Sequence, residues 1–246
     1  MKKQLVSLLL LFVFVLGLGT PAAAYEEDSN RAEWTLETIG KYLDSAPAVE
    51  VAPAQKDDLI SSARATTIRP DVYVKKITVC PIIGIYNNGV AESVEEVTEA
   101  TRTVEFATRG QVKSLTLTSA QFKAIESTVA TAFASDLAHR GKSYEIIAWY
   151  VESVIVCSAD RPKYLEYTPT STCVGGTETQ RMDLPYTSTQ VTLRHIFQIP
   201  AGLYNNYYHV GINGAFYFTY TSGSNSGTTG GAMMGAGLTV NSDKTN

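Results

Sequence analysis

Residues 115–157 have the sequence LTLTSAQFKAIESTVATAFASDLAHRGKSYEIIAWYVESVIVC. Thr118 is a favourable helix N-cap, and Gln121 stands where the partner of a capping box is expected. Apolar residues then recur three and four positions apart, which is the spacing of one helix face. Gly141 can take the left-handed conformation that ends a helix. The stretch therefore predicts a long amphipathic helix over about 119–140.

The segments after this helix favour β-structure. Residues 144–157 are rich in branched and aromatic side chains and are apolar at both parities, which indicates a central strand covered on both faces. Residues 190–240 alternate between apolar and polar positions and predict a three-stranded antiparallel meander. The predicted fold class is α+β: a mostly antiparallel β-sheet with the long helix packed on one face and the meander at the C-terminus.

Three shorter patterns predict local features. The apolar parity changes between Val74 and Ile77, which is what a β-bulge produces, and two charged residues at a sheet edge would give the same pattern. Asn88 and Gly89 predict a tight turn. Residues 158–186 are rich in turn-forming residues and predict a long connection without strands.

The N-terminus has the three parts of an export signal. Lys2 and Lys3 give a positive start, an apolar run follows, and Ala22 and Ala24 form a small-x-small cleavage site. The alternative is a membrane anchor, but the apolar run is shorter than the roughly 20 residues that span a bilayer. Residues 1–24 are therefore predicted to be a signal peptide. The mature chain is expected to be secreted, extracellular or at the cell surface, without a transmembrane helix.

The rest of the chain is expected to contain a leader and one domain. Residues 25–70 are predicted to be a helical and linker leader, with an Ala/Pro-rich linker over 45–55. The alternative is an N-terminal helix packed on the domain. Residues 71–246 are predicted to form a single β-rich domain. The formal net charge of −4 includes two signal-peptide lysines, and no basic patch is visible, so nucleic acid is not an expected partner.

The three cysteines are compatible with one disulfide. An exported chain can form disulfides, and Cys157 with Cys173 is the preferred pair because it would close a turn-rich loop. Cys80 with Cys157 is the alternative, since an odd number of cysteines does not fix the pairing. The spacing fits no zinc motif, so no metal site is expected.

The sequence contains no recognisable catalytic or cofactor motif. A phosphate loop, a dinucleotide fingerprint and a nucleophile elbow are all missing, so no cofactor and no catalytic residue are predicted. His195 lies on an otherwise apolar strand face. It is interpreted as a buried core histidine, and its alternative role is the general base of a hydrolase.

Tyrosines are the preferred candidates for a binding site. Tyr204, Tyr207, His209 and Tyr217 are expected to gather near one turn and on one polar strand face. A tyrosine combines a flat apolar ring with a hydroxyl group, which suits sugars, peptides or protein surfaces. The alternative is that these tyrosines only stabilise their strands by cross-strand pairing.

These features favour a secreted, non-catalytic binding or surface-interaction protein that uses a Tyr-rich sheet face or loops. The expected partner is a glycan, a peptide or another cell-surface component. One alternative is a secreted hydrolase whose site is assembled around His195. Another is a β-pore-forming or membrane-active protein, because residues 232–240 and the Ser/Thr-rich strands alternate in polarity. A structural subunit of an assembly is the remaining alternative.

Overall fold

The computed structural model of the chain describes residues 34–43, 49–55, 71–159, 161–173, 178–199, 207–222 and 224–241. The predicted signal peptide and the greater part of the predicted leader lie outside these residues.

Within the described part of the chain, six strands form the first sheet, sheet A. They are β1 (Val49–Pro53), β2 (Asp71–Asn87), β3 (Val90–Glu96), β4 (Arg102–Glu105), β6 (Ser143–Ser158) and β9 (Thr189–Gln198). β6 is central, as predicted, because it pairs antiparallel with β2 on one side and with β9 on the other. β1 extends the sheet beyond β9, while β3 and β4 pair with different parts of β2.

In the same described residues, five strands form the second sheet, sheet B. They are β5 (Val112–Thr118), β7 (Pro162–Ser171), β8 (Gln180–Asp183), β10 (Tyr208–Ser222) and β11 (Asn225–Asn241). The order across the sheet is β5-β11-β10-β7-β8. All neighbours are antiparallel except β5 and β11, which are parallel.

The inner faces of the two sheets enclose the main core. Trp149 of β6 and Tyr208 of β10 are buried there together with Val79, Phe216 and Leu238. The indole Nε1 of Trp149 donates a hydrogen bond of 2.6 Å to the hydroxyl of Tyr208, which joins the two sheets inside the core. Burial raises the pKa of Tyr208, so this hydroxyl keeps its proton.

Helix α2 (Ser119–Ser135) follows β5 and packs on the same core. It begins with the predicted capping box, in which the side chains of Thr118 and Gln121 each accept a hydrogen bond from the other residue's backbone N–H. That prediction is confirmed. The Phe122 ring lies 6.4 Å from the Trp149 ring. The helix buries Phe122, Ile125 and Val129.

The predicted length of this helix is wrong. The helix has 17 residues and ends at Ser135, so no long helix extends over 119–140. Asp136 is extended, and its side chain caps a separate 3₁₀ turn at Leu137–His139. Gly141 has the expected left-handed conformation, with φ of +80°, but it follows this turn instead of ending the helix.

The predicted α+β class is also wrong. The structure is mostly β, with 64% strand and 16% helix, because a second sheet covers most of the face that α2 was expected to cover alone. The C-terminal meander is not formed, since β9 pairs in sheet A whereas β10 and β11 pair in sheet B. The connection predicted over 158–186 contains β7 and β8.

Two local predictions on β2 are confirmed. The register of β2 against β6 shifts between Val74 and Lys76, and both Val74 and Ile77 reach the main core on either side of that bulge. The turn that joins β2 to β3 has positive φ at Asn88 (50°) and Gly89 (80°), as a tight hairpin turn requires.

Residues 34–43 pack against sheet A, and residues 49–53 form its edge strand β1. Helix α1 (Leu36–Tyr42) lies on the outer face of this sheet, where Trp34 and Ile39 are buried in a second apolar cluster. A Cβ at Gly84 would collide with the Trp34 ring, so glycine lets the indole lie flat on the strand. β1 falls inside the linker predicted over 45–55, and the linker prediction is wrong for those strand residues.

Candidate functional site

The candidate site lies on the outer face of sheet B, but the tyrosines predicted to form it are not together. His209 and Tyr217 are both on β10 and are separated by eight residues, which corresponds to roughly 27 Å of strand. Tyr207 is next to His209 and is 68% exposed. Tyr204 lies outside the described residues. The predicted cluster is therefore divided between the two ends of one strand.

At one end of this face, three side chains from adjacent strands stack on one another. The rings of Tyr164 on β7 and Tyr217 on β10 are 4.5 Å apart with an interplanar angle of 22°. The guanidinium of Arg181 on β8 lies 3.7 Å from the Tyr164 ring centroid. This geometry is an offset aromatic stack extended by a cation–π contact. We call Tyr164, Tyr217 and Arg181 the tyrosine platform.

A carboxylate fixes the polar end of the platform. The Tyr217 hydroxyl donates a hydrogen bond to Glu166, and this negatively charged acceptor raises the pKa of Tyr217. Glu166 lies on β7, and its register neighbours are Ala215 on β10 and Arg181 on β8. The platform therefore combines apolar ring surface with a carboxylate and a guanidinium at its border.

At the other end of the face, hydroxyl groups link three strands and the residue that follows β7. Ser114 Oγ is 2.8 Å from Thr239 Oγ1, and Thr239 Oγ1 is 3.0 Å from His209 Nδ1. The backbone N–H of His209 donates to Thr172 Oγ1 at 2.9 Å. We call Ser114, Thr239, His209 and Thr172 the hydroxyl row. Burial lowers the pKa of His209, so its ring is neutral near pH 7.

Glycines keep the middle of the face flat. Gly211 on β10 and Gly237 on β11 stand opposite each other. A Cβ at Gly211 would lie 2.6 Å from the carbonyl oxygen of Ala236, and one at Gly237 would lie 2.9 Å from His209 Cε1. The His209 ring therefore lies across Gly237, and the two glycines add no side chain of their own to this part of the face.

His195 lies on the inner face of sheet A, away from the platform. Its ring is 4.7 Å from the Phe197 ring, and burial lowers its pKa to about 4. Among the residues that the structure describes, neither ring nitrogen has a hydrogen-bond partner. No carboxylate or hydroxyl therefore orients the ring for proton transfer, and the geometry gives the hydrolase alternative no support.

The predicted disulfide is not formed. Cys80, Cys157 and Cys173 are all free, so the alternative pair is not formed either. Cys157 is buried near the end of β6. The ten residues of β7 lie between Cys157 and Cys173 in the chain and extend away from Cys157. The two thiols are therefore separated by about the length of that strand, roughly 30 Å. Burial raises the pKa of Cys157 to about 12 and that of Cys80 to about 11, which keeps both thiols protonated.

Tyr164, Glu166 and Arg181 were not predicted as site residues, because the turn-forming residues around them indicate a connection. A signal was present: Leu165 and Tyr167 alternate with polar residues on both sides, which is the period of a strand. A second signal was the lack of Asp, Glu, Lys and Arg between Arg194 and Asp243. That uncharged run includes β10 and β11, the two longest strands of sheet B.

Comparison with known proteins identifies no relative: no family model matches the chain, and no curated protein matches it. Within the described residues, no helix combines the length and apolarity needed to cross a membrane. In the same residues, no three His, Cys, Asp or Glu side chains come together as metal ligands could.

Proposed function

We propose that the protein is an exported, non-catalytic binding protein that holds a neutral polysaccharide on the outer face of sheet B. The observation that carries this proposal is the tyrosine platform at one end of a flat face whose other end is the hydroxyl row. The export signal predicted at Lys2, Lys3 and the apolar run after them supports a role outside the cell.

The chemistry of this face matches that of a sugar polymer. A pyranose ring has apolar C–H faces, which would pack on the Tyr164 and Tyr217 rings. Its hydroxyl groups are both donors and acceptors, so Glu166 can accept from them and Arg181 can donate to them. The stacked rings are held by their neighbours, so little side-chain entropy would be lost on binding.

The charge of the face favours a neutral ligand. Its cations have partners within the chain. Arg181 lies 3.9 Å from the carboxylate of Asp183 and has Glu166 as its register neighbour on β7, and Lys163 Nζ donates a hydrogen bond of 2.9 Å to Thr228 Oγ1. β10 and β11 contribute no Asp, Glu, Lys or Arg. Anionic polymers such as nucleic acids are bound by clusters of unpaired Lys and Arg, which this face does not offer.

The proposal is tested by depletion of the mature chain from solution with insoluble neutral polysaccharides, namely cellulose, chitin, mannan and mixed-linkage glucan. We expect Tyr217→Ala and Tyr164→Ala each to weaken retention at least about tenfold, because each removes half of the stack. The matched control is Tyr186→Ala, which removes a tyrosine that is 64% exposed outside the platform. The proposal fails if no polymer retains the wild-type chain, or if both platform variants bind as tightly as the control.

A further inference from the structure

The ring face at which the tyrosine platform can be continued belongs to Tyr217. Tyr164 on β7 lies between Arg181 on β8 and Tyr217 on β10. One face of the Tyr217 ring packs on Tyr164, and the other face turns toward β11, the next strand of the sheet. A ligand ring that continues the stack therefore lies on the β11 side of Tyr217.

Strand β11 places two glycines on this side of Tyr217. The register of β10 against β11 shifts at this tyrosine, so that Gly230 and Gly231 of β11 both stand opposite it. Two residues opposite one are the arrangement of a β-bulge. A Cβ at Gly231 would lie 2.5 Å from the carbonyl oxygen of Phe216, so the close approach of the two strands requires a glycine there. Neither glycine has a side chain that could cover the Tyr217 ring.

Met233 stands on the far side of the space above these glycines. Its side chain is 60% exposed on the outer face, whereas the next residue, Met234, is 2% exposed in the core. Met233 pairs with Ala215, two residues before Tyr217, so Met233 and Tyr217 are diagonal neighbours roughly 7–8 Å apart. A flat ring with contacts of about 3.5–4.0 Å on each side fills a gap of this width. We call the space between Tyr217 and Met233, above Gly231, the ring slot.

Polar groups lie at the border of the ring slot. Glu166 on β7 is the register neighbour of Ala215. Near the glycines, Lys163 Nζ donates a hydrogen bond of 2.9 Å to Thr228 Oγ1, and an ammonium has two further N–H groups to donate. A carboxylate and an ammonium can therefore reach hydroxyl groups at the rim of a sugar, while an aromatic ring and a thioether contact its two flat sides.

The ring slot suits a pyranose whose two faces are both apolar. In the glucose units of cellulose and the N-acetylglucosamine units of chitin, every ring substituent is equatorial, so both faces present only C–H groups. Each unit of mannan carries an axial hydroxyl on one face. Burying that hydroxyl against an apolar wall without a hydrogen-bond partner costs free energy. The flexible methionine side chain can follow the surface of a C–H face.

We propose that the ring slot holds one equatorially substituted pyranose between Tyr217 and Met233, and that the protein therefore selects cellulose or chitin over mannan. This inference rests on the proposed function, because it specifies which neutral polysaccharides the tyrosine platform binds. Met233 is the second wall of the site and contacts the sugar face that is turned away from Tyr217.

The first test compares retention of the mature chain on cellulose, chitin and mannan at equal dry mass. We expect cellulose or chitin to retain the wild type at least about fivefold more strongly than mannan, because the axial hydroxyl loses its hydrogen bonds in the slot. Met233→Ala should weaken retention on the preferred polymer at least about fivefold, and Met233→Leu should keep it, since leucine preserves an apolar wall. The matched control is Val112→Ala, because Val112 is 74% exposed on the same face but stands opposite Gly235, outside the slot.

Oxidation by hydrogen peroxide gives a second readout that needs no substitution. Peroxide converts an exposed methionine to its sulfoxide. In the free chain, Met233 should be oxidised while the adjacent, buried Met234 is not. Bound polymer should slow the oxidation of Met233 severalfold, which mass spectrometry of the peptide that contains both residues measures.

Three results would overturn the ring slot and leave the proposed function intact. They are retention on mannan equal to that on cellulose and chitin, a folded Met233→Ala that is retained like Val112→Ala, and oxidation of Met233 at the same rate with and without bound polymer. In each case the chain still binds polysaccharide. A wild-type chain that no polymer retains overturns the slot and the proposed function together.

Discussion

The outer faces of the two sheets differ in what covers them. One end of the sheet A face is covered by α1, which buries Trp34 and Ile39. Farther along that face, Glu152 lies between two cations: Arg194 Nε is 2.8 Å from one carboxylate oxygen and Lys76 Nζ is 3.8 Å from the other. The sheet B face has no covering helix among the described residues, and aromatic rings, hydroxyl groups and glycines form its surface.

We propose that this difference separates a structural surface on sheet A from a binding surface on sheet B. On sheet A, α1 and the ion pairs of Glu152 occupy the surface, so a ligand would have to displace them. On sheet B, the tyrosine platform and the hydroxyl row present organised groups to the outside. Four substitutions test this contrast.

Ile39→Ala should destabilise the protein most. Ile39 lies on the face of α1 that packs on sheet A, and it is fully buried. Removing its side chain should lower the free energy of unfolding by about 2–5 kcal/mol through lost burial and a residual cavity. Urea unfolding measures the change. The control is Lys41→Ala on the same helix, whose side chain is 68% exposed. Equal stability of the two variants would mean that α1 does not cover sheet A.

His195 should make stability depend on pH. Its folded pKa of about 4 lies below the ordinary 6.5, so between these values the unfolded chain binds a proton that the folded chain does not. Stability should therefore be complete above pH 6.5 and fall by up to about 3 kcal/mol as the pH drops toward 4.

The measurement compares the urea midpoints of the wild type and of His195→Gln across this pH range. The difference between them gives the contribution of His195, because all other titrating groups are shared. We expect the slope to be shallower in the variant. Identical slopes would show that the half-buried His195 ring is fully hydrated in the folded protein.

Gly237→Ala should disturb the flat face of sheet B. The added Cβ would meet the backbone of β10 and the His209 ring, which should cost about 1–3 kcal/mol of unfolding free energy. Gly110→Ala is the control, because a Cβ there meets only the flexible end of the Lys113 side chain. Thermal unfolding measures the difference between the two variants. Equal melting temperatures would argue against the close approach of His209 and Gly237.

Arg194→Gln should have the smallest effect. The Arg194 side chain is 38% exposed, so its ion pair with Glu152 is partly screened and should contribute about 1 kcal/mol or less. The difference from the wild type should shrink further in high salt. A loss that is larger, or that is independent of salt, would show that the charged part of sheet A acts as a buried network.

Local structure could be predicted from sequence because its causes are local. The capping box needs only Thr118 and Gln121, and the turn needs only Asn88 and Gly89. The bulge before Ile77 appears as a change of parity within one strand. Each of these features depends on residues that are neighbours in the chain.

The arrangement of the strands could not be predicted in this way, because alternation gives the faces of a strand but not its partners. The alternation of β9, β10 and β11 indicated strands correctly, yet β9 belongs to the other sheet. Pro169 argued for a loop, but it lies beyond the residues of β7 that pair with β8, where its missing N–H interrupts no ladder. Consequently Tyr217 was found from sequence and its partners Tyr164 and Arg181 were not.

Two double variants, one on each outer face, compare the faces most directly. The measurement is how strongly neutral polysaccharide retains each of them. Tyr164→Ala with Tyr217→Ala removes the platform on sheet B, and Glu152→Gln with Arg194→Gln removes the charged contact on sheet A. We expect the first pair to abolish retention and the second to leave it at the wild-type level. Retention that survives without the platform, or that is lost with the sheet A charges, would contradict the assignment of binding to sheet B.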